Sequence, residues 1–300
     1  MQATIMKART IIFGLIIFFL NSCDNQTKSE SKKLIASKPT FTQTDREQLA
    51  SFSSLDKREI LRRLFDDPEF DSSGMAIWKG SYSDLTSLSI PLSYDGKFHT
   101  SLDTILYFAD TKNRNCAVAI FSTYNYQHDP FDSSKIRPTG CHFCGVPIGA
   151  ALFHETEKKN WELYDFKKEI THLGYGGVYK TGRQDEGKIQ LKEIGDKWTS
   201  LSITEGLGGN GGYLEGGETL FSIEEYKLDG SPNNTLKSLL ANYYSMKETF
   251  LTKKILPEIK PIKNKNNYYD LVVRTIDNET VKTKTYKYSP DYEQYLQQMH

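Results

Sequence analysis

Cys141 and Cys144, in the run Cys141-His142-Phe143-Cys144, are the densest chemical constellation in the chain. A thiol pair at this spacing suits disulfide formation, disulfide exchange or metal ligation. In an oxidising compartment a structural bridge closes within the pair, or joins Cys116 to one of its members and leaves one thiol free. A redox site of the thioredoxin kind needs its first cysteine, here Cys141, at a helix N-terminus, where the dipole lowers the thiol pKa. The context is poor for that: Pro138 and Gly140 precede the pair, Gly145 and Pro147 follow it, and residues 150–155 alternate as a strand. Zinc would need Cys116, His142 or His154 to complete its ligands, and no second spaced cysteine pair is present. Gly145 stands where a haem-attachment motif requires histidine, so no metal or cofactor is assigned.

The second candidate is the run from Gly206 to Gly217, with seven glycines in twelve residues. Glycine permits positive φ and close backbone approach, so the run reads as a long hairpin loop or as a rim contacting a ligand. The candidate contacts are Glu205, Gly208, Gly209, Gly211, Gly212, Tyr213 and Glu215, with Glu218 beyond them. A phosphate cradle would want a following helix, and a Walker loop would also want Lys-Ser or Lys-Thr; neither follows. Gly174-Tyr175-Gly176-Gly177 is a smaller loop of the same character. His128 with Asp129 and Asp132 reads either as a cation site or as a polar turn around Pro130. Tyr124, Tyr126 and Phe131 near it, with Trp161 and Trp198 on strands, could stack a sugar or peptide, although strand aromatics more often serve the core.

These residues must be positioned by strands. Past Trp78, period-two alternation and turn clusters mark four hairpins: 104–109 with 116–123, 150–155 with 161–166, 188–194 with 197–204, and 268–276 with 280–288. Serial antiparallel pairs predict a mainly β fold, a meander closed as a barrel or sandwich, in place of a parallel nucleotide-binding sheet. A helical lead-in spans 44–70, with Ser54 and Asp56 as caps, and an antiparallel β domain spans 75–300. Residues 235–251 and 290–299 are predicted as one or two further short helices. The 300 residues carry 38 Lys+Arg against 38 Asp+Glu, so no net field draws the chain to nucleic acid or another polyanion.

At the N-terminus, Lys7 and Arg9 precede an apolar run from Ile11 to Leu20 that ends at Leu20-Asn21-Ser22-Cys23. About ten apolar residues are too short to cross a hydrocarbon layer of roughly 30 Å, so 1–22 reads as a removed signal peptide. The small residue before Cys23 and the leucine upstream resemble the lipobox of bacterial lipoproteins, although Asn21 is a less usual choice there. That resemblance implies a diacylated Cys23 as first mature residue and a protein held at a bilayer in the cell envelope, facing the periplasm or the exterior. Residues 23–43, rich in Ser, Thr, Lys, Asn and Gln, then form a solvated tether with an r.m.s. span on the order of 25 Å. Cys116 to Tyr226 also resembles a segment of uncharacterised bacterial envelope proteins, a resemblance that implies no activity and no catalytic residue.

The expectation is therefore a lipid-anchored envelope protein, without cofactor, whose β domain binds a small molecule or another envelope protein. The alternative is an envelope thiol-disulfide oxidoreductase using Cys141 and Cys144. A third reading is a purely structural or assembly lipoprotein. No nucleophile elbow, zincin helix or carboxylate signature of a hydrolase is present.

Overall fold

The computed structural model describes residues 51–80, 85, 97–129, 132–138, 145–173, 188–210, 213–247, 258–263, 267–277 and 280–298. The signal, Cys23, the tether, the Cys141/Cys144 pair with His142, and the 174–177 loop lie outside them. Helix α1 (Lys57–Leu64) is the one helix among the described residues. Asp56 caps it, its Oδ1 accepting from the N–H groups of Arg58 and Glu59 at 3.0 Å each. Arg62 and Arg63 occupy its last turn, complementing the dipole, and its apolar stripe of Ile60, Leu61 and Leu64 is buried.

That stripe packs on a seven-stranded antiparallel sheet. In chain order its strands are β1 (Ser51–Phe52), β2 (Glu69–Phe70), β3 (Ala76–Lys79), β4 (Lys97–Ala109), β5 (Asn115–Tyr124), β8 (Val146–Glu155) and β9 (Trp161–Leu173), arranged in space as β1-β9-β8-β5-β4-β3-β2. A separate hairpin of β6 (Tyr126–Asp129) and β7 (Asp132–Pro138) lies between β5 and β8 in the chain. Strands β5 and β8 are almost continuously apolar because both their faces are covered. Ala117, Ala119, Phe121, Ala151 and Phe153 share one cluster with Phe52, Leu61 and Phe65. Val118, Ile120, Ile148, Ala150 and Leu152 share another with Leu201, Ile203, Phe221 and Ile223. Each fully buried large side chain contributes roughly 1.5–3 kcal/mol. Gly149 lets this happen: a Cβ there would lie 2.0 Å from the Phe121 ring and 2.5 Å from the Lys168 carbonyl oxygen.

A second antiparallel sheet comprises β10 (Lys188–Gly195), β11 (Trp198–Asn210), β12 (Tyr213–Ser222) and β13 (Ser238–Lys247), and a third comprises β14 (Glu258–Ile262), β15 (Asp270–Asp277), β16 (Thr280–Ser289) and β17 (Gln294–Gln297), each in sequential order. Trp198, Leu220, Leu239 and Leu240 of the second sheet share a cluster with Ile259, Leu271, Val273 and Tyr295 of the third. The fold is mainly β and antiparallel, and all four expected hairpins form.

Three local expectations are corrected. Residues 235–251 contain β13, not a helix. The register shifts between Leu220 and Phe221, so Leu239 bulges and the doublet Leu239-Leu240 turns inward together, which sequence periodicity reads as a helix face. Residues 290–299 contain β17, whose Tyr295 is buried and donates its hydroxyl to the Ile194 carbonyl at 3.0 Å. In its described residues the glycine run is strand rather than loop: Gly208 pairs with Glu215, Gly209 with Leu214 and Asn210 with Tyr213, after a register shift beyond Glu205. The β12 side pairs onward with β13 as far as Tyr213 and Lys247. Ladder hydrogen bonds on both sides of β12 offset the conformational entropy that glycine loses on being ordered.

Candidate functional site

The β5–β8 pairing sets Cys116 opposite His154, which brings the β4–β5 turn and the β8–β9 turn to the same end of the first sheet. Two adjoining grooves open there. One, of about 540 Å³, is lined by Arg114, His154, Glu155, Lys158, Asn160 and Glu162 among others. The other, of about 320 Å³, is lined by Tyr107, Phe108, Asn115, Cys116, Glu155 and Trp161. Glu155 belongs to both.

The polar groups of the grooves are fixed by one another. Glu155 Oε2 accepts from Asn115 Nδ2 at 2.7 Å and from Lys159 Nζ at 3.2 Å. The Asn115 amide, with the Lys159 ammonium, holds the Glu155 carboxyl below its ordinary range. His154 Nε2 lies 3.3 Å from Glu162 Oε2, and its ring stacks on Tyr164 with centroids 5.7 Å apart. His154 Nδ1 is enclosed without a partner among the described residues. Tyr107, 59% exposed, meets Trp161 edge-on at 5.8 Å.

Beneath the grooves lies a buried acid cluster. Asp110, 3% exposed, accepts from the backbone N–H groups of Lys112 and Arg114 and from Arg114 Nε at 2.7 Å. Arg114 Nη2 also reaches Glu225 at 2.6 Å. Burial by itself would lower the Arg114 pKa, but its hydrogen bonds to Glu225 and Asp110 outweigh that and raise it. Glu224, fully buried, accepts from Thr199 N at 3.0 Å and Thr111 N at 3.1 Å, tying the β4–β5 turn to β11. Burial pushes its carboxyl up to about 7 against the pull of those two N–H donors, and the Asp110 charge adds to the rise. Tyr164 donates to the Ile223 carbonyl at 2.6 Å, and its burial raises the phenol pKa. Farther along the second sheet, Glu218 is 5% exposed and accepts from Lys192 Nζ, from Ser202 Oγ at 2.6 Å and from Ile259 N at 2.9 Å.

The residues singled out in the sequence are scattered by comparison. Cys116 is a free thiol, 1% exposed, and burial followed by the Asp110 charge pushes it up to about 12, which leaves it a poor nucleophile. Gly145, next to Cys144, sits at the far end of β8 from His154, roughly 30 Å away at the usual strand rise. Among the described residues no group of three or more His, Cys, Asp or Glu is placed to hold a metal, and His154 has Glu162 beside it rather than a thiol. Glu205, Gly208, Gly209, Tyr213 and Glu215 lie on the β11–β12 hairpin, while Gly211 and Gly212 fall outside the described residues. His128, Asp129 and Asp132 lie on the β6–β7 hairpin. The two strand tryptophans separate: Trp198 is 1% exposed in the core, whereas Trp161 lines a groove.

Sequence reading passed over Tyr107, Arg114, Asn115, Glu155 and Glu162. The available signal was two turns rich in Asp, Asn, Lys and Glu, but only the long-range β5–β8 register shows that they meet. Among the described residues no helix is long and apolar enough to cross a membrane. Compared with known protein families, curated proteins and solved structures, the chain matches none of them.

Proposed function

We propose that the chain is a lipid-anchored binding module of a bacterial cell envelope. Acylated Cys23 holds it to the bilayer, residues 23–43 tether it, and the β domain takes a small-molecule or protein ligand in the grooves at the β4–β5 and β8–β9 turns. The observation that carries the binding reading is the pair of adjoining grooves sharing Glu155, each within the ~300–1,000 Å³ range of small-ligand sites. The anchoring rests on the lipobox-like sequence ending at Cys23.

The same reading takes the sheets as stacked in a sandwich rather than closed as a barrel. Its support is that the first sheet shares a buried cluster with the second, and the second with the third. It also pairs Cys141 with Cys144 and leaves Cys116 reduced. A disulfide needs Cα atoms within about 7 Å, and Cys116 lies opposite the far end of β8 from Gly145. A role for the pair in thiol exchange is less favoured, because β8 follows it almost at once where a redox cysteine opens a helix.

The test is the intact mass of protein purified from its native membrane, with thiol counting before and after reduction. The expected product begins at acylated Cys23 and shows one thiol before reduction and three after it, counted in denaturant. An unacylated N-terminus would overturn the anchoring, and a Cys116-containing bridge would overturn the pairing.

A further inference from the structure

We propose that the paired grooves bind a neutral oligosaccharide, one ring lying against Trp161 and Tyr107 and its hydroxyls meeting Glu155, Asn115 and the His154–Glu162 pair. This deepens the binding-module reading and rests on it. Trp161 and Tyr107 supply an apolar wall, and Tyr107 keeps 59% of its surface in water while meeting Trp161 edge-on. An aromatic ring that has a wet face and a polar neighbour suits a ligand with alternating C–H and O–H surfaces.

Around Glu155 the charges are already engaged, which favours a neutral ligand there, while the exposed Glu157 and Lys158 stand at the edge of the larger groove. Glu155 is engaged by Asn115 and Lys159, Glu162 by His154, and Arg114 by Asp110 and Glu225. A charged ligand at this end would have to compete with one of these partners. A hydroxyl has no such requirement, because each engaged carboxylate keeps spare lone pairs that accept an O–H. Side chains locked by their own hydrogen bonds also lose little entropy on binding. Glu155 lies between the aromatic groove and the polar one, so a chain of two or more sugar rings can span both.

The experiment is calorimetric titration of the full acylated protein in a zwitterionic detergent, since glycoside detergents would compete. The probes are neutral tetrasaccharides, namely β-1,4-linked N-acetylglucosamine, β-1,4-linked glucose and α-1,4-linked glucose, with neutral and acidic tetrapeptides as a second arm. We expect saturable binding of at least one tetrasaccharide, weakened at least tenfold by Trp161→Ala and less by Trp161→Phe, with both variants still unfolding cooperatively in urea. Binding that survives Trp161→Ala unchanged overturns the proposal. So does failure of every tetrasaccharide; Trp161-dependent peptide binding would then leave the grooves as a site of another class, and failure of both arms would remove the site itself.

Discussion

Glu218 and Glu224 lie on the same stretch of chain, both buried, and the protein treats them oppositely. Glu218 has a cation of its own: Lys192 Nζ bonds both to it and to the Ile259 carbonyl, so one ion pair joins β10, β12 and β14. Glu224 has only backbone dipoles, from Thr111 and Thr199, and its nearest guanidinium is already committed to Asp110 and Glu225. A buried carboxylate with a dedicated counter-ion is a fixed brace. One held by N–H groups beside other acids keeps its proton into the neutral range.

The largest expected effect comes from breaking the brace. Lys192→Met strands the Glu218 charge and should cost about 3–5 kcal/mol in urea unfolding. Adding Glu218→Gln should restore a substantial part of that loss; equal instability of the single and double variants would show that the ion pair itself was not the cause. Next comes Glu224. Its native pKa, about 7, exceeds the ordinary 4.5, so the native state holds a proton that the unfolded chain has released between those pH values. This group's contribution to stability therefore falls as pH rises through that window, by on the order of 3 kcal/mol, and changes no further above it. Glu224→Gln should flatten that part of the stability–pH profile, while an unchanged slope would assign it elsewhere.

Smaller effects sharpen the same contrast. Cys116, beside the acid cluster, should resist alkylation in the native protein and react promptly once unfolded; rapid native labelling would contradict its burial. Trp161→Ala should cost about 1–2 kcal/mol, less than the roughly 3–5 of a fully buried tryptophan, because the ring is only partly buried against the first sheet's core and also lines an open groove. A loss of several kcal/mol would make it a core residue like Trp198.

The four hairpins were legible because turn residues and strand patterning are local signals, but the covering of β5 and β8 on both faces was not, since it comes from sheets and a helix distant in the chain. Strand β13 was not, since the Leu239 bulge buries two neighbouring leucines on one side and imitates helical periodicity. The glycine run looked like a loop because composition does not record the ladders that hold Gly208 and Gly209 in β11. The grooves were invisible for a different reason: Asn115 and Glu155 meet only through the Cys116–His154 register, and nothing in either turn names its neighbour. Trp161 was noticed, yet period-two alternation could not distinguish its setting from that of Trp198.

Acrylamide quenching tests the assignment of the site most directly, because Trp78 and Trp198 are 2% and 1% exposed, leaving Trp161 as the remaining tryptophan of three. The account predicts that a saturating ligand shields this fluorescence and that Trp161→Phe removes the quenchable component. Bound ligand with Trp161 still fully quenchable would place recognition elsewhere, on the β11–β12 hairpin or beyond, and contradict the assignment.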